Sequence, residues 1–506
     1  MSFRTLASRA GAAANVTSRS LPGSFNMVQQ TKVLSSSLSA RQISYNADSE
    51  EFQFKKRTDD VVFESKYGLR TVMLNRPQKL NSLTFSMIQK ILPRLIEWEK
   101  SDLANVVVLK GAGEKALCAG GDVAQLARYN SSSEEEEGWK KSAAYFALEY
   151  KLDHFIATYK KPYISFMDGI TMGGGVGLSA HAPFRIATEK TVFAMPETTI
   201  GFFPDVGASF FLPRMNGSVG TYLALTSARL KGPNVFYAGL ATHYLHSTSL
   251  PDLEARLAEL RFQDSDTLPE RLALINQTLE EFCTGLPYDQ PIELSGSTRQ
   301  AIDRCFNRHT ISEIIAALEA ERGPTEEWAQ KQIKLLRTRS PTAVHVALRQ
   351  MRVGGEWDIA ETFKREHQIA TKFMQHHDFT EGVQALLIRK DQPKWNPESL
   401  EAIGGTNVAK PFFEYDSSNE LELLSDRTFK EYPHQELGVP TEKEIEKVLS
   451  KDTYTQAELA NKIVASRNGR QGISEVVAEI ISRKTAVNDK GKAVWVKDEA
   501  VPGSRL

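Results

Sequence analysis

The chain has 506 residues, of which 41% are hydrophobic and 25% are charged, and such a length allows two or three domains or one large α/β domain with extensions. The formal net charge of -1 gives no overall electrostatic reason to bind nucleic acid or an anionic membrane. No apolar run approaches the roughly 18 residues that a membrane-spanning helix needs. Three widely spaced cysteines, Cys118, Cys283 and Cys305, form neither a disulfide framework nor a metal-binding spacing, which is typical of a reducing compartment.

The first 47 residues have the composition of a targeting segment. They contain five basic residues and many serines, and no Asp or Glu occurs before Asp48. An Arg-rich, Ser-rich and acid-free start is typical of a mitochondrial transit peptide. We therefore predict a transit peptide over residues 1–47 and a location in the mitochondrial matrix.

The last three residues of the sequence are similar to a second kind of targeting signal. Ser504, Arg505 and Leu506 are a close variant of the serine-lysine-leucine peroxisomal signal. Three residues also occur together by coincidence, so secondary peroxisomal targeting stays an alternative beside the mitochondrial prediction.

Strand-like and helix-like segments alternate along the first 230 residues. The β-rich runs 61–64 and 70–74 predict a hairpin, and the continuous apolar run 106–109 predicts a buried strand. The apolar periodicity of residues 84–98 predicts a helix. Further segments continue the alternation: a helix from about 122, a helix over 140–158 and a strand over 163–167. This order predicts an α/β fold, and residues 230–390 read as mostly helical.

The last hundred residues, 405–506, read as a mostly helical extension. Thr441 and Glu444 predict a capping box at the start of a helix. The apolar residues between Ile473 and Ile481 follow the spacing of one helical face. That stripe is either part of the core or a docking face for a partner.

Two glycine-rich segments each follow a predicted strand and open a predicted helix. They are residues 115–122 (KALCAGGD) and 169–178 (GITMGGGVGL). Glycine lets the backbone approach a ligand closely, and the free N–H groups of a first helical turn point at negative charge. Neither segment matches a P-loop or a Rossmann fingerprint. An oxyanion hole and a pair of tight packing turns remain the two interpretations.

A third segment, residues 193–207 (FAMPETTIGFFPDVG), places Glu197 and Asp205 among apolar and turn residues. Acids in such surroundings indicate a pocket in which burial tunes a general base. A structural helix N-cap is the other interpretation, above all for Asp205.

Several ordered motifs together resemble the crotonase superfamily. They are residues 74–83 (LNRPQKLNSL), 119–122 (AGGD) and 172–175 (MGGG). The strings 172–179 (MGGGVGLS), 195–209 (MPETTIGFFPDVGAS) and 378–383 (DFTEGV) are similar to the 3-hydroxyisobutyryl-CoA hydrolase branch of that superfamily. The resemblance implies a crotonase-like spiral of ββα units over residues 58–400, with a helical C-terminal trimerisation region within it and the helical tail added after it.

The resemblance also implies a reaction and a site. Gly121 and Gly174 would form the oxyanion hole, Glu197 and Asp205 would be catalytic, and Glu149, Gly174, Glu197 and Asp205 would bind the substrate. Hydratases of the superfamily use two glutamates, the first of them at the position of Gly177 and the second at that of Glu197. The implied reaction is therefore hydrolysis of an acyl-CoA thioester, with an enoyl-CoA hydratase or isomerase on the same fold as an alternative. No metal or other cofactor is implied, because CoA is part of the substrate.

The resemblance implies two kinds of partner beside the acyl-CoA substrate. The fold implies a homo-oligomer. Relatives with long extensions occur in the small subunit of the mitochondrial ribosome, which makes a ribosomal subunit the alternative function. Because the hydrolase motifs end near Pro397, we expect catalysis not to require the extension.

Overall fold

The computed structural model describes residues 59–132, 137–283 and 285–496. The predicted transit peptide and the C-terminal residues 504–506 lie outside this range. The described residues contain twelve β-strands: β1 Val61–Lys66, β2 Leu69–Leu74, β3 Val106–Gly111, β4 Ala116–Cys118, β5 Tyr163–Met167, β6 Ile170–Met172, β7 Phe184–Ala187, β8 Val192–Ala194, β9 Leu230–Lys231, β10 His243–Tyr244, β11 Thr485–Val487 and β12 Ala493–Trp495.

Two sheets form the frame of the fold. The larger has the order β1-β2-β3-β5-β7-β10, and the smaller has the order β4-β6-β8-β9. The predicted hairpin is confirmed, since β1 pairs antiparallel with β2 from Val61 opposite Leu74 to Lys66 opposite Leu69. From β2 to β10 the larger sheet is parallel, and parallel neighbours need crossover segments. The predicted α/β fold is therefore confirmed.

The described residues contain eighteen α-helices: α1 Phe85–Lys100, α2 Val123–Asn130, α3 Gly138–Ala157, α4 Gly174–Ala180, α5 Ala208–Phe211, α6 Val219–Thr226, α7 Pro233–Tyr237, α8 Leu250–Glu259, α9 Leu268–Glu280, α10 Gly296–Phe306, α11 Ile311–Ala320, α12 Glu326–Thr338, α13 Pro341–Val353, α14 Ile359–Met374, α15 His377–Val383, α16 Glu442–Leu449, α17 Gln456–Ser466 and α18 Ile473–Lys484. The helix predicted from residue 84 is α1, and the Thr84 side chain caps it by accepting from the Met87 N–H. No helix of the described part has both the length and the apolar character that a bilayer crossing requires.

The described part of the C-terminal extension packs on the rest of the chain. The predicted apolar stripe of α18 is buried, with Ile473 0% and Ile481 5% exposed, and it belongs to the same hydrophobic core as the sheets. The core interpretation of the stripe is therefore correct. The predicted capping box is wrong in one half. Thr441 accepts from the Glu444 N–H, but the Glu444 carboxylate pairs with Arg467 at 2.8 Å instead of turning back to the cap.

Candidate active site

Two glycine turns lie side by side at the carboxyl ends of neighbouring strands. Strand β4 leads through Gly121 into α2, and β6 leads through Gly173 into α4, whose first residue is Gly174. Because β4 and β6 are parallel neighbours, their following turns meet at one edge of the smaller sheet. A Cβ atom built on Gly174 would lie 3.5 Å from the amide N of Gly121.

The two amides of this pair are available to a ligand. The Gly174 N–H belongs to the first turn of α4, where N–H groups have no acceptor within the helix. Among the described residues, the Gly121 N–H donates to no backbone or side-chain oxygen. Two neighbouring free N–H donors that point at one oxygen atom are what an oxyanion hole requires. The structure therefore brings the predicted oxyanion residues together.

Carboxyl groups from two other elements border the glycine turns. Glu149 comes from the middle of α3, and Glu197 starts a 3-10 turn directly after β8. A Cβ on Gly174 would be 2.4 Å from Glu149 Oε1, and one on Gly173 would be 3.1 Å from Glu197 Oε1. Both acids are almost fully buried, and Glu149 Oε1 and Glu197 Oε2 have no hydrogen-bond partner in the described structure. Each of these two buried oxygens therefore keeps unused hydrogen-bonding capacity beside the glycine turns.

Asp205 stands in the loop that follows Glu197. Its Oδ2 atom accepts a hydrogen bond of 2.7 Å from the Tyr150 hydroxyl, so α3 supplies both Glu149 and the partner of Asp205. The N-cap interpretation of Asp205 is wrong, because the cap of α5 is Gly207 and no side chain bonds there. Val206 and Gly207 both have left-handed backbone, with φ of 55° and 88°.

Burial and like charge raise the proton affinity of these acids. Burial is the largest cause that raises the pKa of Glu149 and of Glu197 well above the usual value of a glutamate, and the Asp205 carboxyl adds to both shifts. Burial also raises the pKa of Asp205 to about 7, against the lowering effect of the Tyr150 hydroxyl. Carboxyl groups with pKa values near or above neutrality can act as proton donors and bases at pH 7.

Two further buried acids belong to this cluster and were missed by sequence reasoning. Asp153 lies one helical turn after Glu149 on α3, and neither of its carboxylate oxygens has a hydrogen-bond partner in the described part of the chain. Glu366, on α14, accepts from the Gly207 N–H at 2.7 Å and from Ser209. The four-residue spacing from Glu149 was a signal for Asp153, whereas nothing local marked Glu366.

Neighbouring atoms leave no room for a side chain at Gly177. A Cβ atom there would lie 2.5 Å from Asp153 Oδ2 and 2.7 Å from Val206 Cβ. No side chain fits into that space without moving both elements. The glutamate that the resemblance assigns to hydratases at this position therefore has no room here.

One large cavity of about 750 Å³ lies between the main body of the fold (residues 59–404) and the extension, and His181, Arg185, Tyr432, Glu442 and Trp495 are among the residues that line it. It contains neither the glycine turns nor the buried acids. Within the described residues, no group of three or more His, Cys, Asp or Glu side chains could hold a metal ion.

The fold and the paired glycine turns define the class of protein, and comparison with known families agrees. The family model described as enoyl-CoA hydratase/isomerase matches residues 69–412. The chain belongs to this family, the crotonase family. A solved carnitinyl-CoA dehydratase from Mycobacterium thermoresistibile is 32% identical, with a TM-score of 0.64, over 73% of this chain and 100% of that one.

Two named relatives differ in function. The small ribosomal subunit protein mS47 of Neurospora crassa is 55% identical over 510 aligned residues, which cover 98% of this chain and 99% of that protein. The mitochondrial 3-hydroxyisobutyryl-CoA hydrolase of Gallus gallus is 41% identical over 376 residues, which cover 73% of this chain and 93% of the hydrolase. The similarity to the ribosomal protein covers nearly the whole chain and so includes the extension. The similarity to the hydrolase covers 73% of the chain and leaves most of the extension out.

Proposed function

We propose that this protein hydrolyses the thioester of 3-hydroxyisobutyryl-CoA to 3-hydroxyisobutyrate and CoA. The observation that carries the proposal is the meeting of two free amides, Gly121 and Gly174, with the buried carboxyl groups of Glu149 and Glu197. The closed space at Gly177 favours hydrolysis over hydration, and about 40% identity to named hydrolases supports the substrate.

The proposed reaction follows from this geometry. The thioester oxygen accepts hydrogen bonds from the Gly121 and Gly174 amides, and each such donor contributes about 10²–10³ in rate. Glu197 either attacks the carbonyl carbon itself or takes a proton from the attacking water. If Glu197 attacks, its oxygen–carbon bond forms as the carbon–sulfur bond breaks, and water then hydrolyses the resulting anhydride and restores the Glu197 carboxylate. If water attacks, its oxygen bonds directly to the carbonyl carbon as the carbon–sulfur bond breaks. In both routes the CoA thiolate leaves and takes up a proton that the water releases. Asp205 orients Glu197, the water or the substrate hydroxyl group, and Glu149 contacts the acyl part.

Glu197→Gln tests this proposal, because the amide keeps the size of the side chain and removes the base and nucleophile. Release of CoA thiol from 3-hydroxyisobutyryl-CoA should fall by at least about 10²-fold. Glu398→Gln is the matched control, since Glu398 is exposed, and its turnover should equal that of the wild type. Wild-type turnover by Glu197→Gln would remove Glu197 from the role.

A second function, as a protein of the small subunit of the mitochondrial ribosome, is favoured by one observation. The similarity to mS47 extends over 98% of the chain and so includes the extension. Hydrolase and ribosomal roles do not exclude each other, because the acids and amides of the site are present. The word mitochondrial in the names of the hydrolase relatives supports the predicted mitochondrial location.

Sedimentation of a mitochondrial lysate through a sucrose gradient separates the two states. A ribosomal protein should travel with the small subunit and stay on it after a high-salt wash, which removes loosely bound proteins, whereas a free enzyme should stay near the top as a homo-oligomer. Co-sedimentation that persists on the isolated small subunit and vanishes when its RNA is digested supports the second function. Its absence at every salt concentration would contradict it.

A further inference from the structure

Residues 427–432 of the extension, named here the brace segment, cross behind the elements that carry the buried acids. The Arg427 carbonyl oxygen accepts from His154 Nε2 on α3 at 2.9 Å, one residue after Asp153. The Tyr432 hydroxyl lies 2.7 Å from His181 Nδ1. Between these points, the Lys430 carbonyl oxygen accepts from the Arg214 guanidinium at 2.9 Å. The brace segment thus bonds to three separate parts of the main body of the fold, at His154, His181 and Arg214.

His181 connects Tyr432 of the brace segment to the loop that carries Asp205, residues 203–207. It stands directly after α4, the helix that begins with Gly174, and its ring is 3% exposed. His181 Nε2 lies 2.9 Å from the Val206 carbonyl oxygen. Since a carbonyl oxygen can only accept, Nε2 carries the proton and Nδ1 accepts from the Tyr432 hydroxyl. Burial lowers the pKa of His181 to about 4, which agrees with a neutral ring.

The contacted loop needs such support. Val206 has a φ of 55°, a left-handed conformation that β-branched residues rarely adopt and that persists only where the surroundings hold it. Gly207, next to it, has no room for a side chain, because a Cβ atom would lie 2.3 Å from His181 Nε2. Asp205 directly precedes these two residues. The Tyr150 hydroxyl holds the Asp205 carboxyl directly, Glu366 holds the Gly207 N–H, and His181 holds the Val206 carbonyl between them.

We propose that Tyr432 is a positioning residue for the acid site: its hydroxyl group holds the His181 ring through Nδ1, and His181 Nε2 holds the Val206 carbonyl and so helps to place the Asp205 carboxyl. The proposal rests on the proposed hydrolysis for its kinetic consequence and on geometry alone for its structural one. It gives the extension a role in catalysis, which the sequence-based expectation denied.

Tyr432→Phe tests this chain of hydrogen bonds, because it removes only the hydroxyl group that bonds to His181. The phenyl ring keeps its packing against Phe210 and Phe429, whose ring centroids lie 5.0 and 5.5 Å away, so folding should be retained. Without the hydroxyl donor, His181 Nδ1 loses its hydrogen-bond partner, so the ring is held through Nε2 alone and can turn away from the Val206 oxygen. We expect kcat to fall at least about ten-fold with KM changed less than two-fold. Tyr454→Phe is the control, because the Tyr454 hydroxyl bonds to Asp452 within the extension.

Amide hydrogen exchange supplies a readout that does not depend on turnover. A peptide spanning residues 203–211 should exchange faster in Tyr432→Phe than in the wild type, and equally in Tyr454→Phe. His181→Asn should have a similar effect, and the double variant should be no worse than the more affected single variant, because both substitutions break one chain of bonds.

The outcomes separate this inference from the proposed function. Unchanged kcat and unchanged exchange in Tyr432→Phe would overturn the positioning role, and so would a lower melting temperature with kcat retained. If the wild type does not hydrolyse the thioester, the proposed function fails. Exchange of residues 203–211 then still decides whether Tyr432 holds the loop.

Discussion

Gly174→Ala is the substitution that tests the oxyanion hole most directly. The added methyl group would lie 2.4 Å from Glu149 Oε1 and 3.5 Å from the Gly121 amide N. A bound oxyanion must sit about 2.7–3.1 Å from the same amide. The methyl group and the anion would thus compete for one space, and Glu149 would have to turn away as well.

The rate effect of Gly174→Ala should be large and its effect on stability small. Loss of one oxyanion donor costs about 10²–10³ in rate, and the methyl group obstructs both donors, so turnover should fall at least about 10³-fold. Alanine favours a helix over glycine by about 1 kcal/mol. Only the end of the Glu149 side chain stands in the way, so the melting temperature should change by no more than a few degrees.

Thiol release from 3-hydroxyisobutyryl-CoA measures the turnover, and thermal unfolding measures the stability. Gly405→Ala is the control, because a Cβ atom there would meet nothing within 4 Å. If Gly174→Ala keeps turnover within about ten-fold of the wild type, the glycine turn serves packing and the oxyanion assignment is refuted. A drop in turnover that merely follows a loss of folded protein would contradict the expected small effect on stability, and turnover is therefore compared per folded molecule.

Three further results are expected. Gly177→Glu should lower the melting temperature without creating hydration of crotonyl-CoA, because Asp153 and Val206 fill the space; a stable variant with hydratase activity would contradict this. Burial raises the pKa of Asp205 in the folded state to about 7, so between about pH 4 and pH 7 the folded state holds a proton that the unfolded state has lost. This group should therefore lower the free energy of unfolding by about 1.4 kcal/mol for each pH unit as the pH rises through that range. Asp205→Asn should therefore flatten the decrease in unfolding free energy over that range, and identical slopes would disprove it. A chain ending at residue 405 should aggregate or lose turnover, since it lacks the buried face of α18; a soluble, fully active truncation would show that the extension is dispensable.

Sequence strings revealed those parts of the site that lie in continuous segments. The glycine turns and Glu197 were found because each stands in a short, ordered motif beside a strand. Contacts between distant residues could not be predicted in this way. The Tyr150 bond to Asp205 joins residues 55 positions apart, and the Glu366 bond to Gly207 joins residues 159 positions apart. Helix spacing located α18 correctly, but the partner that covers it is set by tertiary packing.

The order in which the chain is synthesised gives the brace segment a further consequence. His181 and Tyr432 are 251 positions apart, and a ribosome makes the amino-terminal part first. The loop that carries Asp205 is therefore synthesised long before Tyr432, the residue that supports it through His181. A nascent chain that already holds every acid of the site lacks this support until the brace segment arrives. Proteolytic loss of the brace segment would return the mature protein to that immature state while leaving each acid and each glycine turn in the chain.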